Sequence, residues 1–309
     1  MEDELFEALY RLICAEAKRR PRRPRVQFSD AIILLVATWA IVHDRPTCWA
    51  CEQRHWPRPW HWLELPSPKT MSDRLPTLGV QLLLEQVFHR VAAVTAVAGF
   101  CLCRRIDSKP LPVGHFSKDT DARRGHVSGG FTAKGYKLFA CWGRHPATVP
   151  EALLLGPMNL ADPAGATALI DQLDRLHNHA AGGYLLADAT HDTNALHACA
   201  AARGFQLLTP RKQPGTGLGH GTHAPARLRS IALLEPPLVP PAAPTPTFGP
   251  TLYRRREQAE RDLGNMGSFG GGLQPLPNFV RRPRRVVLWV VGKLIFNGVR
   301  ICEKHGLTL

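Results

Sequence analysis

Acidic residues are the scarce charged class in this chain: 25 Asp and Glu stand against 39 Lys and Arg, a formal net charge of +14. Such an excess favours a polyanionic partner, nucleic acid before an anionic membrane surface, with a merely basic soluble enzyme as the plain alternative. Long apolar runs are lacking too. The longest, Ala31 to Val42, is too short for a bilayer and follows a helix-capping Ser29; Val286 to Phe296 is shorter still and contains Lys293. The opening MEDELFEAL is acidic where a secretory signal is basic. The eight cysteines are scattered, which fits a reducing compartment better than a disulfide framework. These absences lead us to expect a cytoplasmic protein with no membrane association. Cys48-x-x-Cys51 followed by His55 and His61 invites a zinc reading, but the clear second pair of a structural zinc site is missing. Ordinary helix packing stands beside it as the alternative.

What is present divides into two textures. With 309 residues and a 44% hydrophobic fraction, the chain can bury a substantial core. Residues 1–98 read as all-helical. An amphipathic helix over 2–18 carries Leu5, Leu9, Leu12 and Ile13 on one face, Phe28 to Val42 is a buried helix, and Thr70 to Leu78 and Val80 to Val97 are further helices. From Gly99 the pattern changes. Strands are expected at Phe100 to Ile106, Lys137 to Trp142, Glu151 to Leu155, the YLLAD run ending at Asp188, and Phe205 to Leu208. A glycine-rich, hairpin-like segment precedes the second. Helices are expected at Thr167 to His177 and Thr193 to Arg203. Three strands followed by alternating helix and strand make an α/β sheet flanked by helices.

Basic stretches punctuate this order. Lys18 to Arg25 holds six basic residues in eight, kept extended by two prolines. It suits the backbone of DNA or is a solvated linker. No acid occurs from Thr193 to Leu234, while Arg203, Arg211, Lys212, Arg227 and Arg229 do. This reads as a basic loop that either approaches DNA or lies free on the surface. Glu235 to Pro250 then has seven prolines in sixteen residues, an extended spacer. Arg281 to Arg300 has six basic residues and no acid; its apolar half, VVLWVVGKLIF, is expected to pack on the sheet.

Candidate chemistry concentrates in three acids. Tyr253, Arg256 and Glu260 recur at helical spacing and share one helix face, an unusual surface for a purely structural helix. Asp107 ends the first expected strand and Asp188 the fourth, 81 residues apart, and Glu260 follows 72 later. Carboxyl ends of neighbouring strands are where α/β sheets build sites. Three such carboxylates can hold two divalent ions of the hard, oxygen-binding kind, Mg²⁺ or Mn²⁺. Taken singly, an Asp after a strand is more often a turn former or cap. Asp192 is expected to cap the following helix, Asp119, Asp121 and Asp162 are weaker candidates in loops, and Glu257 makes a surface pair with Arg261.

Three passages resemble the DDE transposases of bacterial insertion sequences. RIDSKPLP is similar to the family's first-aspartate strand, YLLADATHDTNAL to its second-aspartate block, and YRRREQAER to its Tyr-x-x-Arg-x-x-x-Glu box. LLTPRK, from Leu207 to Lys212, is similar to the strand and basic turn that follow the second aspartate. The resemblance implies an RNase H-like catalytic domain over residues 99–309, with a basic, proline-rich insertion at about 211–251. The helical region 1–98 would serve DNA binding or dimerisation. It further implies Asp107, Asp188 and Glu260 as catalytic metal ligands for two Mg²⁺ or Mn²⁺ ions, with Tyr253, Arg256, Arg211 and Lys212 on DNA phosphates. The partner would be double-stranded DNA, both element ends and target, bound by a homodimer. Many members carry a lysine seven residues after the Glu; here that position is Gly267. Another RNase H-like endonuclease, or an inactive DNA-binding copy, are the rival readings.

Overall fold

The computed structural model describes residues 2–309 except 22–25, 96–100, 115–116, 128–129, 144–148, 179–181, 215, 219, 236–247, 269–271 and 274, and it leaves aside the side chains of 2–3 and 265–268. Half of the basic arm, the start of the first expected strand and most of the proline-rich run therefore lie outside the described residues. The helices are α1 (Glu2–Lys18), α2 (Asp30–Val42), α3 (Pro68–Arg74), α4 (Leu78–Thr95), α5 (Asp162–Leu176), α6 (Asn194–Ala202), α7 (Pro225–Leu234), α8 (Phe248–Tyr253), α9 (Glu257–Ser268) and α10 (Pro283–His305). The strands are β1 (Cys103–Pro112), β2 (Arg123–His126), β3 (Thr132–Trp142), β4 (Ala152–Pro157), β5 (Gly183–Leu186) and β6 (Phe205–Leu208). The chain forms two compact units. One is Met1–Ala96 with Pro112–Ala122 and Asn265–Leu309; the other is Val97–Leu111 with Arg123–Gly264.

The first unit is helical because its apolar residues recur at helical spacing. α1 buries Phe6, Leu9, Leu12 and Ile13. α2 starts where the Ser29 side chain accepts from the Ile32 N–H at 3.3 Å, a cap worth about 1 kcal/mol. The tryptophans form a core rather than a metal site. Phe6 meets Trp39 and Trp60 edge-on at 4.7 and 5.1 Å. His55 and His61 bond the carbonyls of Trp49 and Trp56 at 2.7 and 3.0 Å, and Cys48 is exposed. Among the described residues no group of three or more His, Cys, Asp or Glu could hold a metal ion, so the Cys48/Cys51/His55/His61 cluster does not assemble.

The apolar part of α10 packs against α1, α2 and α4, not on the sheet as expected. The close approach uses Gly292, where a Cβ would lie 2.8 Å from an Ile41 methyl. Lys293, fully buried, pairs with Asp44 at 2.9 Å. A helix that buries most of its circumference needs helices on several sides, which one sheet face cannot supply. Among the described residues no helix is long and apolar enough to cross a membrane.

The second unit is built on a mixed sheet in the order β2-β3-β1-β5-β6, with β4 also paired to β3. β2 and β4 run antiparallel to β3, and β5 runs parallel to both β1 and β6. α5 and α6 cover one face, where Ile106, Phe139, Leu169, Leu185 and Phe205 share a buried cluster. α8 lies on the other, with Leu252 against Cys103, Leu186 and Leu208. The expected mixed α/β, RNase H-like sheet is the one observed. The expected flexible basic loop is instead partly ordered, since α7 falls inside it.

Candidate active site

β1 does not end at Asp107. The β5 ladder stops with Leu186 opposite Arg105, but β1 is flanked on its other side by β3 and continues to Pro112. Asp107 thus sits within a strand, while Asp188 lies two residues past the end of β5. The β1–β5 register pairs Cys103 with Tyr184, an offset of 81 that is also the spacing of the two aspartates. Each acid is two residues beyond the last pair, so side-chain alternation puts both on the sheet face covered by α8.

That face also receives α9. Leu252 and Phe248 anchor α8, the latter ring-to-ring with Tyr184 at 5.6 Å. A Cβ on Gly249 would collide with the Leu233 carbonyl, so glycine lets α8 settle on α7. A 3-10 turn over Arg254–Arg256 joins α8 to α9. The helix is therefore not continuous as expected, yet Tyr253, Arg256 and Glu260 still converge. Arg256 reaches Glu260 at 3.0 Å and Asp107 at 3.6 Å. The Tyr253 hydroxyl donates to the Ala187 carbonyl at 3.0 Å, one residue before Asp188. Beneath α9, Arg105 pairs with buried Asp262 at 3.1 Å and Lys109 approaches the Leu263 carbonyl at 3.5 Å.

Each acid has a distinct environment. Asp188 caps a 3-10 turn: its Oδ1 accepts from the Thr190 backbone N–H at 3.0 Å, from the Thr190 hydroxyl, and pairs with His191 Nδ1 at 2.7 Å. Burial would raise its pKa, but the bonds from His191 and Thr190 and the charges of His191 and Arg256 outweigh it and hold the carboxyl well below its usual range. Asp107 is raised, because burial and the charge of Asp188 overcome the Ser108 N–H bond at 2.8 Å and the Arg256 charge. Tyr253 is pushed up to about 12, first by burial and then by the acids around it, so its hydroxyl stays protonated. Glu260 is the exposed member, its side chain 64% accessible.

The donor set of Asp107, Asp188 and Glu260 is all carboxylate oxygen, the chemistry hard divalent ions take. The charge of Asp188 already raises the proton affinity of Asp107, and Arg256 is the positive charge both acids face. The third is turned onto Arg256, so the three do not form a ligating cluster among the described residues. The three carboxylates therefore fit divalent ions in donor type but not in arrangement.

Other candidates have structural partners. Asp192 does not cap α6; Thr193 does, accepting from the Leu196 N–H at 3.3 Å. Asp192 is buried, and Arg227 grips both its oxygens at 2.6 and 2.8 Å. Asp162 takes bonds from Ser108 and Lys137 on the opposite side of β1. Arg211 pairs with Glu235, whereas Lys212 is exposed and its backbone N–H bonds Asp192 at 3.4 Å. Arg203 pairs with Asp171 and Arg229 bonds Gln206, so most of the basic loop's guanidiniums are engaged within the protein. Sequence reasoning overlooked His191 and Lys109. Lys109 was findable, since it alternates with Asp107 along one strand face; the His191 contact depends on a 3-10 turn without a periodic signature.

The sheet order puts the second unit in the RNase H-like class. The family described as the transposase DDE domain matches residues 102–293, and the chain belongs to that family. Among solved structures, the cryo-EM structure of the piggyBac transposase synaptic complex with hairpin DNA is similar, with a TM-score of 0.48 and 10% identity over 98% of this chain and 74% of that one. No curated protein matches.

Proposed function

We propose that the protein is a metal-dependent DNA transposase that cleaves phosphodiester bonds at the ends of its element and joins the 3′-OH ends to target DNA. The observation that carries this reading is the convergence of Asp107, Asp188 and Glu260 around Arg256 inside a transposase DDE domain. Two Mg²⁺ or Mn²⁺ ions held by the three carboxylates would activate the attacking oxygen and stabilise the leaving one. Arg256 binds a phosphate next to the cut bond, where its planar fork suits two oxygens. Tyr253 positions the same strand through its hydroxyl. His191 and Thr190 keep Asp188 ionised and oriented. Arg211 and Lys212 contact phosphates further out. The helical region 1–98 serves DNA binding or dimerisation, the protein works as a homodimer on double-stranded DNA, and it does so in the cytoplasm.

A strand-transfer assay tests this reading. With Mg²⁺ and a pre-cut duplex end, the wild-type chain should join its 3′ end to a second duplex, and Asp107→Ala and Glu260→Ala should each lower product by more than about 100-fold, the loss already typical of groups one shell further from a metal. Cleavage without joining would favour a plain endonuclease, and unchanged activity in Asp107→Ala would sink the site.

A further inference from the structure

Beside the face of α9 that carries Glu260, the next face borders a cavity of about 550 Å³ lined by Arg105, Arg254, Arg255, Glu257, Gln258 and Arg261, with residues 101–103 at its edge. We infer that this cavity is a second phosphate-binding site, which clamps the DNA backbone adjoining the cleaved bond without reading its sequence. The inference rests on the transposase reading above.

Charge is the first support. Four guanidiniums face one carboxylate, and that carboxylate, Glu257, meets Arg261 only at 3.8 Å with both side chains more than two-thirds exposed, a pair weakened by solvent. Arg254 and Arg255 are exposed and have no hydrogen-bond or ion-pair partner among the described residues. The second support is an orphaned donor. Arg105 is 4% exposed and held from beneath by Asp262, yet its Nε is buried with no hydrogen-bond partner. A buried, unmet N–H is costly, so an acceptor that reached it would be favoured.

Position and chemistry select the occupant. Cys103, Arg105 and Asp107 alternate on one face of β1, so the cavity begins roughly 7 Å along the strand from the catalytic acid. Arg254 and Arg255 directly precede Arg256 in the chain. A DNA strand with its reacting phosphate at Asp107 therefore has neighbouring phosphates within reach of the cavity. Among the described residues the lining contains no Trp, Tyr or Phe on which a base could stack. Guanidinium forks without a stacking platform bind backbone phosphate, which positions DNA but carries no sequence information.

The test uses the full chain carrying Arg254→Ala with Arg255→Ala, both exposed positions, and binding to two short duplexes of unrelated sequence, followed by fluorescence anisotropy across a salt series without divalent metal. A thermal melt confirms that the variant is folded. Loss of two phosphate contacts should weaken binding to both duplexes by the same factor and reduce the slope of log affinity against log salt by about 2. The double lysine variant should retain the slope. An unchanged slope in the alanine variant, or a loss confined to one duplex, overturns the inference. Because no cleavage is measured, this outcome is independent of strand transfer: a catalytically dead chain could still show the slope change, and an active one could fail to.

Discussion

The loop between β5 and α6 carries an aspartate at each end, and the two ends are used differently. Asp192 is 2% exposed and both its oxygens belong to Arg227. Asp188 is 36% exposed, its internal bonds all fall on Oδ1, and the charges around it include another acid, Asp107, as well as Arg256. A carboxylate neutralised on both oxygens by its own chain holds structure and can do little else. One pinned on a single oxygen beside a second carboxylate is set up to accept an outside cation. The difference teaches that partners, not position after a strand, sort the acid proposed for catalysis from the structural one.

Exchanging the two roles by mutation should break the comparison cleanly. The largest effect is expected from Asp188→Asn, which keeps the cap acceptor but removes the charge. Cleavage should fall by more than about 100-fold, with little change in thermal melting; a variant that still cuts would place the chemistry elsewhere. Asp192→Ala should do the reverse. Leaving Arg227 without its buried partner should cost about 3–5 kcal/mol, read as a lower denaturation midpoint.

The same pair gives a pH signature. Arg227 holds the Asp192 carboxyl below its usual range, although burial alone would raise it. Its stabilisation is therefore present above the ordinary carboxylate pKa of about 4 and is lost as pH falls from there toward the lower folded value. Asp192→Asn should flatten the acid limb of a melting-temperature profile, and an unaltered limb would deny the pair its structural role. The smallest effect belongs to Tyr253→Phe. Losing the hydroxyl bond to the Ala187 carbonyl should cost about 1 kcal/mol and slow cleavage several-fold by loosening the chain just before Asp188.

Much of this was legible from residues alone. The periodicity of α1, the β5 and β6 runs and the Thr193-to-Arg203 helix lie where local pattern puts them, because each is short and decided by neighbours in sequence. The three acids and their companions Tyr253 and Arg256 were visible as spaced polar residues among apolar elements. The misread parts depend on distant partners. Asp107 read as a strand end because its sequence turns polar, but pairing with β3 carries β1 past it. The apolar half of α10 read as sheet-covering, but helices of the other unit surround it. The basic loop read as free, but Asp171, Asp192, Gln206 and Glu235 occupy most of its arginines.

By itself the sequence determined the alternation of helices and strands and the basic balance, which follow from composition and short-range periodicity, and its family resemblance singled out the candidate acids. Only the tertiary structure decided which oxygens remain available. That choice depends on strand register, which sets Asp107 beside Asp188 at a shared offset of 81. It depends equally on ion pairs such as Arg227 with Asp192, closed between residues 35 positions apart, whose strength comes from burial that no single segment can provide.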